Sequence, residues 1–252
     1  MNASRAAIGV IPARLASTRF PGKALASETG LPLVVHVLRR AQQATRLGRV
    51  VVAAPDAEIL DAVRRHGGEA VETRFDHPNG TTRIAEAIER LAPHGPGDAI
   101  VVNIQGDEPL VDPRHVDLLV ERLEQDPGAG MSTLVCPFTP EEDAANPNVV
   151  KAVVAASGRA LYFSRACVPF HRDAADPPPG RFRHLGLYAY RREVLGRLAA
   201  LPESPLEVAE RLEQLRALEH GIGIAVGVVD HAEGGIDTPE QYAAFVRRVG
   251  RG

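Results

Sequence analysis

Apolar residues along this chain follow two alternating rhythms. Short unbroken apolar runs read as strands buried on both faces. Between them lie stretches whose apolar positions return every three or four residues, the period of a half-buried helix. Residues 7–11 predict a strand, and residues 33–44 a helix with Val34, Val37, Leu38 and Ala41 on one face. Residues 50–54 predict a second strand, followed by a helix over 57–66 that stops at Gly67 and Gly68. A third strand over 70–73, a helix over 81–91 and a strand over 99–103, apolar through Ile100, Val101 and Val102, complete the first half. Strands hydrophobic on both faces, alternating with helices, indicate a parallel sheet covered by helices.

The second half is more mixed. Strands are predicted over 131–136, 149–155, 185–190 and 222–229, with helices starting at Pro113, over 205–219 and over 239–249. Proline stands at the first turn of the last helix, where its missing N–H costs nothing. The stretch 172–180, with prolines at 177, 178 and 179 followed by Gly180, reads as an exposed loop. There is no internal repeat and no linker, so the 252 residues are expected to form a single domain.

Composition narrows the chemistry. The formal net charge is −3, so there is no bulk basic field to hold nucleic acid, and anion binding must come from local clusters. Two cysteines, Cys136 and Cys167, are too few for a disulfide framework or a thiolate zinc site. No apolar run approaches a membrane-spanning length, and the first residues do not resemble a signal peptide. A soluble cytoplasmic protein with no membrane partner is expected.

In an open α/β sheet, ligands bind at the carboxyl ends of the strands. The loop after the first strand holds Arg14, Ser17, Thr18, Arg19, Gly22 and Lys23. Cations separated by small residues, beside backbone amides at a strand end, suit a triphosphate. They also suit a solvated turn. The spacing is neither that of a P-loop nor that of a dinucleotide fingerprint. After the apolar strand at 99–103 comes Asn103-Ile104-Gln105-Gly106-Asp107-Glu108-Pro109. Asp107 reads as a ligand for a hard cation or as a structural carboxylate ahead of the helix at Pro113, and Glu108 as a second ligand or a solvated charge. Gly106 permits close approach of backbone or ligand. Before the last helix, Asp237 and Thr238 are both candidate N-caps. Asp237 would complete a magnesium site with Asp107 if the two loops meet.

Further along, Ser164 has no Asp–His company that would make it a nucleophile. Arg165 reads as a bidentate partner for a substrate carboxylate or as half of a surface ion pair. His184 reads as a hydrogen-bonded structural histidine or as a functional one.

Taken together, these residues resemble the 3-deoxy-manno-octulosonate (KDO) cytidylyltransferases. The matching motifs are residues 11–23, Gly80 to Arg83, Asn103 to Pro109, Asn146 to Asn148, Ala160 to Arg165, Arg183 to Tyr188, Ser204 to Glu207, Leu212 to Arg216 and Gly235 to Pro239. The resemblance implies an α/β fold with a mostly parallel, mixed central sheet and flanking helices, Rossmann-like and of the nucleotide-diphospho-sugar transferase type. It also implies an excursion within about 131–190 used for homodimerisation. CTP and KDO would be the substrates, Mg2+ the cofactor, and CMP-KDO for lipopolysaccharide the product. Arg14, Ser17, Arg19 and Lys23 would hold the triphosphate, with Arg14, Lys23 and Asp107 catalytic. Arg74, Asn79, Gly80 and Arg83 would lie near cytosine and ribose. Asp107 and Asp237 would bind magnesium. Gln105, Arg165, His184, Tyr188, Glu213 and Gln214 would surround the sugar acid. The chain departs from the family's usual pattern at Ala54-Pro55, Asn79, Thr82 and Val208. A related acid, 8-amino-KDO or a nonulosonate, is the alternative substrate. A non-catalytic nucleotide-binding paralogue is the alternative of another class.

Overall fold

The computed structural model describes residues 7–139, 141–172 and 181–250. The proline-rich stretch at 177–180, expected to be an exposed loop, lies outside the described residues. The contacts gather into two compact units, residues 1–117 with 233–252, and residues 118–232.

In the first unit the chain alternates strand and helix: β1 (Ala7–Pro12), α1 (Leu33–Ala41), β2 (Leu47–Ala54), α2 (Ala57–Arg65), β3 (Glu69–Glu72), α3 (Gly80–Leu91) and β4 (Ile100–Asn103). The strands lie in the order β3-β2-β1-β4, and every pairing among them is parallel. Val10, Ile11, Val51, Val52, Ala53 and Val102 have no exposed surface, which is why these runs read as unbroken apolar segments. Helices α1, α2 and α3 each bury one side, that of α1 comprising Val34, Val37, Leu38 and Ala41 together with Leu33 and Val35. The helix α4 (Pro113–Gln125) follows β4.

The second unit holds β5 (Met131–Pro137), β6 (Lys151–Val154), β7 (Ala160–Ser164), β8 (Phe182–Arg191), α5 (Arg192–Ala200), α6 (Pro205–Glu210), α7 (Gln214–Glu219) and β9 (Ile224–Val228). Here β5 pairs antiparallel with β8 and parallel with β9, while β6 runs antiparallel to both β7 and β8. The class is therefore α/β with flanking helices, as the hydrophobic rhythm predicts, and with the mixed strand pairing that the family resemblance implies. The closing helix α8 (Pro239–Val249) belongs to the first unit and starts with a capping box between Thr238 and Gln241.

One expected element is corrected. Residues 205–219 carry helical periodicity and no glycine or proline after Pro205, which predicts a single helix. The chain instead breaks at Arg211, which sits in the left-handed region at φ 53°, a costly place for a side-chain-bearing residue. Tertiary bonds hold the break. Arg165 donates through Nε to the Glu210 carbonyl at 2.7 Å and through a terminal nitrogen to the Arg211 carbonyl at 3.3 Å. The two short helices are then tied by Arg216, whose Nε donates to Glu207 at 2.7 Å in a buried pair. Strand β7 and helix α5 were not foreseen, because β7 has too little apolar alternation and α5 no strong start signal.

Candidate active site

A cavity of about 740 Å³ opens at the carboxyl ends of β1 and β4 in the first unit. Its walls include Arg14, Ser17, Arg19 and Lys23 from the loop after β1. Asn79, Gly80 and Arg83 line it from the start of α3, with Gln105, Gly106 and Asp107 from the loop after β4, and Asp237 from the turn before α8.

These loops are positioned by specific contacts. The first turns at Gly22, whose φ of 71° favours glycine, into a short 3-10 turn that begins with Lys23. Its other end is fixed by Asp56, the residue preceding α2, whose carboxylate accepts the Leu15 N–H at 2.9 Å. Gly106 meets a different constraint, since a Cβ there would lie 2.7 Å from the Pro12 carbonyl oxygen. The backbone of the β4 loop thus passes directly over the end of β1. An apolar cluster of Leu33, Ile236, Tyr242 and Phe245, joined by Phe20 and Leu110, takes one residue from each of the three loops. Phe20 packs at a tilt against Tyr242 with ring centroids 5.5 Å apart, and the Tyr242 hydroxyl accepts the Glu28 N–H at 2.9 Å.

The question of whether the loops of Asp107 and Asp237 meet is answered by Lys23. Its ammonium lies 2.7 Å from Asp107 Oδ2 and 3.3 Å from Asp237 Oδ1, and it donates to the Ile236 carbonyl at 3.0 Å. Arg19 reaches the same Asp237 oxygen at 2.9 Å. Thr238, not Asp237, caps α8, which leaves the Asp237 carboxylate to the cavity. Two carboxylates converging on one point suit a hard divalent cation whose remaining ligands come from phosphate oxygens and water. Among the described residues no group of three or more His, Cys, Asp or Glu could hold a metal, so the protein's share of such a site is this pair. Glu108 beside it is half-buried, and burial together with the Asp107 charge pushes its carboxyl up to about 8.

On the far wall, Asn79 accepts the Thr82 N–H at 3.0 Å as N-cap of α3, so its side chain is engaged locally. Arg83 is buried, donating to Thr73 Oγ1 at 2.6 Å and to the Arg74 carbonyl at 3.1 Å. Desolvation, and then the Arg14 charge, lower its pKa. Arg74 behaves differently from its sequence companions. It is exposed, faces Asp76 at 3.6 Å and Glu86 at 3.5 Å, and is not among the cavity-lining residues. Glu86 is a hub that sequence reading missed. It contacts His77, Arg90 and the Arg74 backbone, and these hydrogen bonds outweigh the burial that would raise its carboxyl, holding it at about 2.

The remaining candidates lie in the second unit. Arg165 uses its guanidinium on main-chain carbonyls, those of Glu210, Arg211 and, at 2.9 Å, Pro147, and among the described residues it makes no surface ion pair. His184 Nε2 lies 2.9 Å from Thr133 Oγ1. Because that hydroxyl donates to the Leu187 carbonyl at 2.8 Å, the ring nitrogen is the donor between them. Burial lowers His184 to about 3, which keeps the ring neutral, and it packs edge-on to Phe163 and against Tyr188. Tyr188 is raised well above its ordinary value by desolvation, then by Tyr190 and Glu213. Gln214 is buried at the start of α7, directly after Glu213.

Sequence reading passed over Lys151, a lysine inside the apolar strand β6. It is fully buried, and its ammonium donates to the carbonyls of Asn146 (3.1 Å), Val149 (2.7 Å) and Arg165 (2.5 Å). A lone charged residue within such an apolar run is the signal that marks it. Lys151 and Arg165 together hold the turn at 146–149 through three of its carbonyls, and the His184 N–H donates to the Val150 carbonyl at 2.9 Å just beyond it.

A cationic strand-end loop in direct contact with two carboxylates, at the mouth of a cavity, is an arrangement that suits a nucleotidyl transferase. The chain matches the cytidylyltransferase family over residues 8–224 and belongs to it. It is 50% identical over 239 residues to a 3-deoxy-manno-octulosonate cytidylyltransferase of Syntrophobacter fumaroxidans, covering 95% of each chain. To the protein of that name from a Bradyrhizobium species it is 53% identical over 236 residues, 91% of this chain and 92% of the other. Among solved structures it is similar to a CMP:2-keto-3-deoxy-manno-octonic acid synthetase complexed with CTP. That likeness has a TM-score of 0.89 and 40% identity over 97% of this chain and 98% of the other.

Proposed function

We infer that the protein transfers CMP from CTP to 3-deoxy-manno-octulosonate, giving CMP-KDO and pyrophosphate. The observation that carries this is the meeting of Lys23 with Asp107 and Asp237 in a cavity also lined by Arg14, Ser17 and Arg19. Its support is the near-full-length identity, about half of all positions, to enzymes that bear that activity as their name.

In this reaction the anomeric hydroxyl of the sugar attacks the α-phosphorus of CTP and pyrophosphate leaves in line. No covalent enzyme intermediate is needed. Arg14, Arg19 and Lys23 bind the triphosphate and offset the charge that builds on the leaving oxygens, while the Ser17 hydroxyl adds a neutral hydrogen bond. Asn79, Gly80 and Arg83 shape the far wall where the nucleoside would lie. We assign Mg2+ to Asp107 and Asp237. It would act as a Lewis acid on the phosphoryl oxygens and orient the triphosphate. Arg165, His184, Tyr188, Glu213, Gln214 and Gln105 are assigned to the sugar acid. The neutral His184 ring would act as a hydrogen-bonding and packing surface rather than as a counter-charge. A homodimer in the cytoplasm completes the proposal.

The deciding experiment measures pyrophosphate release with CTP across a panel containing KDO, 8-amino-KDO and nonulosonates. Turnover with KDO at the highest kcat/KM is expected. No turnover with KDO removes the assignment.

A further inference from the structure

Four charged side chains meet in the cavity of the first unit, and their charges cancel. Asp107 and Asp237 supply the negative pair; Lys23 and Arg19 supply the positive one. Every hydrogen of the Lys23 ammonium has an acceptor, the two carboxylates and the Ile236 carbonyl. Resting on the reading that these carboxylates hold Mg2+, we propose that Lys23 is the resident counter-ion of the pair. It keeps the place between Asp107 and Asp237 until a triphosphate draws the ammonium away, so that a divalent cation enters only in company with nucleotide.

The physical argument is one of charge and reach. A divalent cation arriving alone must push an ammonium off three acceptors and receives only two carboxylates in return. If the ammonium stayed, the two cations would repel each other at close range. A triphosphate changes both sides of this balance. It brings several negative charges to the cavity that Arg14, Arg19 and Lys23 line, and the flexible four-carbon stem of lysine lets the ammonium follow them without the backbone moving. The two carboxylates then lose their counter-charges while phosphate oxygens arrive as additional hard ligands. Cation and nucleotide therefore bind as a set, each raising the other's affinity. Without nucleotide, the same lysine holds together two loops whose carboxylates would otherwise repel.

Mn2+ serves as the probe, its free concentration followed by electron paramagnetic resonance in the absence of nucleotide. Wild-type protein is expected to take up little Mn2+. Lys23→Gln is expected to bind it about tenfold or more tightly, because the competing cation is gone. Adding Asp107→Asn to that variant is expected to abolish the gain. Lys23→Met provides the same reading should the glutamine variant fold poorly, as checked by circular dichroism. Tight Mn2+ uptake by the wild type alone overturns the proposal. So does a Lys23 variant no better than wild type, or a gain that survives Asp107→Asn. Wild-type turnover with KDO is measured separately: its absence would remove the sugar assignment and leave the Mn2+ pattern to be judged by itself.

Discussion

The carboxylate of Asp56 accepts the backbone N–H of Leu15 at 2.9 Å, tying the residue that opens α2 to the loop that carries Arg14, Ser17 and Arg19. The bond spans 41 positions of sequence and touches no side chain of the loop. Its effect is on the loop's path rather than on its charge. Asp56→Ala is expected to raise KM for CTP about tenfold, the cost of losing a hydrogen bond to a charged acceptor, with little change in KM for KDO. Steady-state kinetics with each substrate varied in turn would check this; equal changes in both constants would contradict it.

Asp107 faces Lys23 and belongs to a backbone segment that Gly106 threads over Pro12. Asp107→Asn keeps the shape and removes the charge. Turnover is expected to fall by about a hundredfold or more, the scale of losing a charge-stabilising group at a reacting phosphoryl centre. Circular dichroism and the thermal midpoint should stay close to wild type. Unchanged pyrophosphate release would take Asp107 out of the metal site.

Lys151→Met leaves three main-chain carbonyls without their shared donor. A loss of about 2–4 kcal/mol of stability is expected, read from urea unfolding. Because the turn at 146–149 and the Arg165 carbonyl are what the ammonium holds, KM for KDO should rise while KM for CTP stays unchanged. A variant with normal stability and normal constants would show that the carbonyls find other partners.

His184 sets an upper limb on the acid stability of the protein. Its folded pKa, about 3, lies below the ordinary value of 6.5 because of burial. The folded state therefore resists a proton that the unfolded chain accepts, so stability is full above about pH 6.5 and falls as pH drops toward 3. Glu86, held at about 2 against an ordinary 4.5, adds a second loss between those values. Unfolding in urea at pH 4 to 7 should show the decline, and His184→Gln should flatten its upper part. An unaltered slope in the variant would place the titration elsewhere.

The architecture of the first unit was legible because each buried strand is a short apolar run and each helix shows one stripe. Where the sequence misled, long-range contacts decide. Nothing local announces the left-handed Arg211, since the bonds that fix it come from Arg165, 46 positions away. The loop cations and both acidic turns were visible as motifs. That Asp107 and Asp237 come together was visible only as a condition, because it depends on two segments 130 residues apart folding onto the same point, and that Lys23 lies between them was not visible at all. Asp56 and Glu86 escaped notice for the opposite reason: each looks like an ordinary polar residue at the start or on the face of a helix.

Phe20, Leu110 and Ile236 belong to one apolar cluster with Tyr242 and Phe245, so the cationic loop after β1 leans on α8, more than two hundred residues further along the chain. On the ribosome this order has a consequence. The cationic loop is made first, and its support arrives only after more than two hundred further residues have been added. A nascent chain can complete its parallel strands early and still lack a competent nucleotide site. Activity would then appear abruptly, once α8 has been made and closes over Phe20.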